Sequence, residues 1–282
     1  MANWGDVWPA PAKLNLMLRV VGRRDDGYHL LQTVFQFITI ADQLRFLARD
    51  DGEIIRTPKI YGVPEEEDLV VRAAQLLKSR SGVTAGVEIE LEKSIPMGAG
   101  LGGGSSDAAT TLLALNRLWG LGLSEEELSE LGLQLGADVP VFIRGHAAWA
   151  EGIGERLEAI ELPEEWYLVL FPSCHVSTAE IFSHPQLTRD SARITIADFF
   201  AGSRENDCLP VVIKEHSEVA EAMKWLGQFA EARLTGTGAA VFAAFDSKEK
   251  AKEVHAKLPG HWKGAVGRGV NCSPVLEMLA DR

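Results

Sequence analysis

Five glycines, at positions 98, 100, 102, 103 and 104, fall within the thirteen residues PMGAGLGGGSSDA that span 96–108. So little side chain is a poor interior for a helix or strand, because each glycine surrenders the most backbone freedom on ordering. The run is therefore a loop whose backbone must bend through unusual φ or be approached closely. Before it, GVEIELEKSIP alternates as a strand, and after it AATTLLALNRLWG carries Ala109, Leu112 and Leu113 at helical spacing until Gly120 stops it. Ser105 or Ser106 is the candidate cap. A strand, a glycine loop and a helix start concentrate unpaired N–H groups at the positive end of a helix dipole, which suits a phosphate. A Walker loop would need lysine after the last glycine, where this chain has Ser105. Gly98, Gly100 and Gly103 fit the dinucleotide register, but they lie mid-chain among extra glycines. A plain flexible connector stays open at this level.

The rest of the chain interleaves strands and helices. KLNLMLRV at 13–20 alternates, which predicts Leu14, Leu16, Leu18 and Val20 on one face and Lys13, Asn15, Met17 and Arg19 on the other. The Asp26-Gly27 turn and the strand-like TVFQFITI make 13–47 a hairpin or meander. DLVVRAAQLLKS reads as a helix, Ser124 with Glu127 as a capping box for a helix running to Gly136, and HAAWAEG as a short strand. From about 156 a second α+β pattern begins, with a strand YLVLFPS, a helix near Thr178, a long helix over 212–230, the segment RLTGTGAAVFAAF, a helix over 247–257 and a closing strand HWKGAVGRGV. The expectation is two domains, 1–155 and 156–282.

Charge narrows the function. At net −12 the summed field repels polyanions, so no nucleic-acid or anionic-membrane partner is expected and any phosphate site must be local. Cys174, Cys208 and Cys272 are too few and too scattered for a disulfide framework, and reduced cytosol suits them. MANWGDVWPAPAK lacks a basic segment followed by an apolar one, and no apolar run reaches the ~20 residues of a membrane span. We expect a cytoplasmic protein, monomeric or weakly dimeric.

Three separated segments together, PAKLN at 11–15, PMGAGLGGGSSDAA at 96–109 and LTGTGAAVF at 234–242, resemble the signature motifs of the GHMP kinases, small-molecule kinases with a non-Walker phosphate loop. GRRDDGYHLLQTVF at 22–35 and GADVPVF at 136–142 are similar to one branch of that family, whose acceptor alcohol carries a cytidine diphosphate. The resemblance implies an α+β, two-domain fold, with an N-terminal domain like ribosomal protein S5, a ferredoxin-like C-terminal domain and the active site between them. It also implies ATP and Mg²⁺ as cofactors.

Residue by residue, the resemblance makes Asp138 the base and Lys13 its partner; from local sequence alone, Asp138 reads sooner as a helix cap and Lys13 as a solvated strand lysine, an order that the resemblance reverses. It assigns ATP to Lys93, Pro96, Met97, Gly98, Ala99, Gly100, Leu101, Gly102, Gly103, Gly104, Ser105 and Ser106. Substrate contacts fall to Asn15, Tyr28, His29, Thr178, Phe182, Thr235, Gly236, Thr237 and Gly238. In that branch an aromatic pair, here Tyr28 and Phe182, sandwiches cytosine, and the histidine bonds its edge. Asp107 either approaches the metal or sits in the first helical turn; no metal ligand set can be assigned. Asp68 stands near the adenine pocket where asparagine is the family habit, and Leu234, Thr235 and Thr237 replace methionine or serine variants. A different kinase of the family and a ligand sensor on the same fold are the competing readings.

Overall fold

A computed structural model of the chain describes residues 3–58 and 64–280. In chain order its elements are β1 (Val7–Arg23), β2 (His29–Arg49), β3 (Ile54–Thr57), α1 (Leu69–Ser81), β4 (Gly86–Glu92), α2 (Gly103–Leu118), α3 (Glu125–Leu135), α4 (Val139–Arg144), β5 (Ala148–Gly152) and β6 (Arg156–Ala159). There follow β7 (Trp166–Phe171), α5 (Thr178–Ser183), α6 (Ile196–Phe200), α7 (Leu209–Glu215), α8 (Ser217–Leu226), β8 (Arg233–Leu234), β9 (Val241–Phe245), α9 (Lys248–His255), β10 (Lys263–Val270) and α10 (Val275–Leu279). The fold class is α+β.

β2 organises the molecule. It is rich in β-branched and aromatic residues, which suit a pleated, buried surface, and its alternation sends Phe35 and Phe37 into one core and Val34, Ile38 and Ile40 into another. Along its length it pairs antiparallel with β1, with β4 through Gln43–Arg49, with β5 through Leu31–Phe35, and with β10 at Phe37 and Ile38. The sheet runs β3-β4-β2-β10-β7-β9-β8, so the two halves of the chain share one hydrogen-bonded path. α1–α4 cover one core, with Leu77, Leu112, Leu115 and Phe142 buried in it. α7–α9 cover a second core with Leu168, Val212, Leu226 and Val241.

Four local expectations need correction. First, strict alternation fails in β1: the register slips between Asn15 and Met17, so Leu14, Leu16 and Met17 join one core while Leu18 and Val20 join another. A bulge of this kind inserts one residue and re-aims the side chains beyond it. Second, the helix expected over 212–230 is two, broken at His216, whose extended φ of −128° and ψ of 94° end α7 and start α8. Third, neither Ser105 nor Ser106 caps α2; Gly102, at φ 70°, takes that place, and both serines lie inside the helix. A left-handed cap residue favours glycine, so the third glycine of the run outcompetes the hydroxyls. Fourth, Asp107 is consequently not in the first turn of α2. The Ser124–Glu127 capping box forms as expected, with Glu127 N donating to Ser124 Oγ at 3.2 Å and Ser124 N to Glu127 Oε2 at 2.9 Å.

The division at 155/156 lies between β5 and β6, which pair with each other. α10 returns to the first half, where Val275 is buried in the core under α1–α4.

Candidate active site

A cleft of about 590 Å³ opens where β1, the glycine loop, the turn before α4 and the segment 236–237 converge. Lys13, Asn15, Lys93, Asp138, Thr178, Phe182, Gly236 and Thr237 line it, together with every loop residue from Pro96 to Ser105. Of the other sequence-predicted residues, Ser106, Tyr28, His29, Thr235 and Gly238 do not line it.

Lys13 forms the floor. It is 3% exposed, and a cation so placed must be compensated or lose its charge. Its Nζ donates to Asn15 Oδ1 at 2.5 Å and to the Gly100 carbonyl at 3.3 Å, and lies 3.3 Å from Asp138 Oδ2. Below it the Phe35 ring centroid is 5.2 Å away, within cation–π range. Asn15 is held in turn by donating from Nδ2 to Thr33 Oγ1 at 2.8 Å. The slip in β1 falls after Asn15, so Lys13 and Asn15 keep the shared face that the alternation predicts.

Asp138 occupies the N-cap position of α4, with Pro140 in the first turn, yet its side chain makes no capping hydrogen bond. The carboxylate turns to Lys13 instead, and about a third of it remains exposed to the cleft. A short helix started by proline frees the carboxylate from the capping duty it would otherwise perform.

The bare backbone of the glycine run faces protein on two sides. A Cβ on Gly100 would lie 2.5 Å from the Thr235 carbonyl oxygen and 2.9 Å from that of Gly238; one on Gly102 would lie 2.8 Å from Phe142 and 3.1 Å from Lys13 Cε. Positive φ occurs at Gly98, Gly100 and Gly102 but not at Gly103 or Gly104, which are helical. The loop and the segment 235–240 therefore cross backbone against backbone: Ala239 N donates to Gly98 O and Ala240 N to Ala99 O at 3.0 Å. Thr235 joins both motifs to β1, accepting from Asn15 N at 3.0 Å and donating to Gly100 O at 3.3 Å, and is fully buried. Thr237 meets Thr178 hydroxyl to hydroxyl at 2.9 Å.

Behind the loop lies a charge cluster that sequence reading missed in part. Lys93 Nζ contacts Asp42 Oδ2 at 2.5 Å and Asp107 Oδ2 at 2.7 Å. Burial works against the Lys93 charge, but the two carboxylates outweigh it and raise its pKa. Burial drives the Asp107 carboxyl up to about 7; Lys93 opposes this and Asp42 adds to it. Asp42 also accepts from Ser94 N and Ile95 N, pinning the strand end that launches the loop. Asp68 caps α1 by accepting from Val70 N at 3.0 Å and pairs with the buried Arg56, which gives its carboxylate a reason to replace an amide.

Tyr28, His29 and Phe182 are not assembled as a sandwich. Tyr28 is 59% exposed on the turn, whereas His29 stacks directly on Phe182, centroids 5.1 Å apart at 24°. Arg189, unforeseen from sequence, donates from Nε to His29 Nε2 at 3.0 Å. Burial, then the positive charges of Arg189 and Arg23, lower the His29 pKa.

Among the described residues no group of three or more His, Cys, Asp or Glu side chains could hold a metal ion. Among them, too, no helix is long and apolar enough to cross a membrane.

Residues 68–146 match the family described as GHMP kinases N terminal domain, and 189–264 match GHMP kinases C terminal. The chain is 58% identical over 275 residues to 4-diphosphocytidyl-2-C-methyl-D-erythritol kinase of Methylococcus capsulatus, covering 97% of this chain and 94% of that protein. It is 56% identical to the protein of the same name from Nitrosococcus oceani, over 97% and 98% of the two chains. Among solved structures, a 4-(cytidine 5'-diphospho)-2C-methyl-D-erythritol kinase aligns with a TM-score of 0.82 at 33% identity, covering 94% of this chain and 99% of that one. A mevalonate kinase from Methanococcus jannaschii aligns at 0.67 with 16% identity over 95% and 99% of the chains, a likeness of fold alone.

Proposed function

Because the chain belongs to the GHMP kinases, we propose that it transfers the γ-phosphoryl group of ATP to the 2-hydroxyl of 4-diphosphocytidyl-2-C-methyl-D-erythritol, in non-mevalonate isoprenoid precursor synthesis. The relatives' names support that substrate, and the observation that carries the chemistry is the Lys13–Asp138 pair facing the cleft beside the glycine loop. Phosphoryl transfer asks a protein for positioning and charge stabilisation more than for covalent chemistry. Asp138 accepts the proton of the acceptor hydroxyl as its oxygen bonds to the γ-phosphorus. The bond from that phosphorus to the β,γ-bridging oxygen breaks, and ADP departs with the electron pair. Lys13, paired with Asp138, steadies the negative charge gathering on the acceptor oxygen.

The nucleotide phosphates lie against residues 98–105 at the N-terminus of α2, with Lys93 and Asp68 toward the adenine side. Ser106, fully buried, supports the helix from behind. Thr235 and Gly238 likewise act through the backbone crossing, leaving Gly236 and Thr237 to face substrate. The donor set fits Mg²⁺: that ion keeps waters and needs few protein oxygens beside the phosphates, and the Ser105 hydroxyl and the buried, unpartnered Oδ1 of Asp107 are the oxygens at hand. When bound it would neutralise phosphate charge. The cytidine lies at the Phe182–His29 end, with Tyr28 free on its turn to cover the second face of the base. We further propose two units divided near 155, action in the cytoplasm, and a monomer or weak homodimer.

The direct test is an ADP-release assay on a panel of alcohols. Turnover with the cytidyl-capped substrate and negligible turnover with mevalonate or homoserine is expected. Nucleotide binding without ADP release on any alcohol would replace the kinase with a sensor.

A further inference from the structure

Beside Phe182, Arg189 is held by a fixed set of hydrogen bonds. Four of the five guanidinium N–H groups of Arg189 are committed. Nη1 donates to Leu187 O at 3.0 Å, Nη2 to Phe182 O at 2.8 Å and to His184 O at 2.9 Å, and Nε to His29 Nε2 at 3.0 Å. Three loop carbonyls, one of them from Phe182 itself, thus fix the plane and aim of the fork before it reaches the histidine. Guanidinium is donor-only and does not deprotonate in proteins, so His29 Nε2 can serve only as an acceptor. The neutral ring must carry its proton on Nδ1.

We infer that Arg189 is the positioning residue for base selection: by occupying Nε2 it makes His29 Nδ1 an obligatory donor, and the pyrimidine edge presented there must offer an acceptor. At N3 cytosine offers a lone pair, whereas uracil offers an N–H. This deepens the proposed function and rests on its cytidine reading, adding the discrimination of cytidine from uridine and naming its cause. A donor facing a donor leaves two buried polar groups unpaired, the mismatch by which sites built to bond a polar edge reject close analogues most strongly. The stack adds to it. His29 lies on Phe182 at 24° between ring planes, so the stack holds the ring plane, and turning the ring over within that plane would cost the Arg189 hydrogen bond at Nε2. The charged groups facing His29 are Arg189 and Arg23, while Asp26 on the adjoining turn is engaged with Arg24 at 2.7 Å. Both facing charges disfavour an imidazolium, which would donate from both nitrogens and abolish the acceptor that Arg189 requires.

The test uses the whole protein with CDP and UDP as probes in calorimetric titrations, for the wild type, Arg189→Met and Arg189→Lys. Long-range proton–nitrogen correlation on ¹⁵N-histidine-labelled protein reads the tautomer, with His29→Asn assigning the signal. Wild type is expected to hold His29 as the Nδ1–H form and to bind CDP at least roughly tenfold more tightly than UDP, about 1.4 kcal/mol. Arg189→Met should bring the CDP-to-UDP ratio toward one and mix the tautomers, and Arg189→Lys, which keeps the charge but not the fork, should recover little of the ratio. A purely structural arginine would lower both affinities together and leave the ratio intact; that result overturns the inference while sparing the cytidine reading. An Nε2–H form in wild type overturns it even if Arg189→Met fails to fold. Equal affinity of wild type for CDP and UDP, with the Nδ1–H form present, removes the cytidine reading and the discrimination together.

Discussion

Lys13 Nζ stands 3.3 Å from Asp138 Oδ2 across the floor of the cleft, one partner 4% exposed and the other 36%. The lysine is thus sealed beneath the cleft, and the carboxylate is the partner open to it.

Asp138→Asn should therefore lower kcat by about 10²-fold or more, the scale of general-base loss, with nucleotide affinity little changed. Lys13→Met, which keeps the length of a side chain packed on Phe35, should damage the same step. Steady-state kinetics of the double variant should show a loss well below the sum of the two free-energy costs. Full additivity would separate the residues.

The crossing of the glycine loop with 235–240 predicts a sharp contrast between neighbours. Gly100→Ala places Cβ 2.5 Å from the Thr235 carbonyl at a residue of φ 76°, whereas Gly104→Ala meets only Leu69 Cδ1 at 3.5 Å. Thermal or urea unfolding should show the first variant destabilised by roughly 2 kcal/mol or more, from strain and clash, and the second close to wild type. Equal stability of the two variants would mean the loop is a slack connector.

Asp107 makes stability depend on pH with a particular sign. Its folded pKa of about 7 lies above the usual 3.8, so between those values the folded state holds a proton that the unfolded chain has released. The stability linked to that proton is complete below about pH 4 and is lost as pH rises through 7. Asp107→Asn should flatten this component in urea unfolding measured from pH 4 to 8. A wild-type contribution that grows with pH would reverse the assignment.

Phe182→Ala should raise KM for the cytidyl substrate roughly tenfold or more, as expected for losing a stacked ring, and ATP KM should hold. Tyr28→Ala should act in the same direction but less, since that ring is exposed and unstacked before substrate arrives. Steady-state KM values for the two substrates decide it; equal turnover of uncapped methylerythritol 4-phosphate would remove any role for the base.

The parts of the site legible in the sequence are those that local chemistry marks. Strand alternation put Lys13 beside Asn15, and the glycine run marked the loop. What stayed hidden is what only tertiary contact creates. Asp42 is a polar residue in the apolar run TVFQFITIADQL, a signal that something must satisfy it, but nothing local names Lys93. Arg189 sits in a stretch without periodicity, and its partners are Phe182, His184 and Leu187 together with His29 at the start of β2, so no spacing rule could find it. The break at His216 was masked because no glycine or proline stands there to mark it. Ser105 and Ser106 were plausible caps until the left-handed Gly102 claimed the helix start.

α10 comes after every other element along the chain, yet its Val275 is buried beneath α1–α4 and β10 pairs with the centre of β2. A ribosome therefore delivers α10 well after α1–α4, on whose core it packs. The apolar faces of β2 and α2 must wait through synthesis of the intervening residues, exposed to the risks of partly folded surface. Lys13 and Asp138, both drawn from the first half, thus stand over a core that also takes Val275 from the latest described helix.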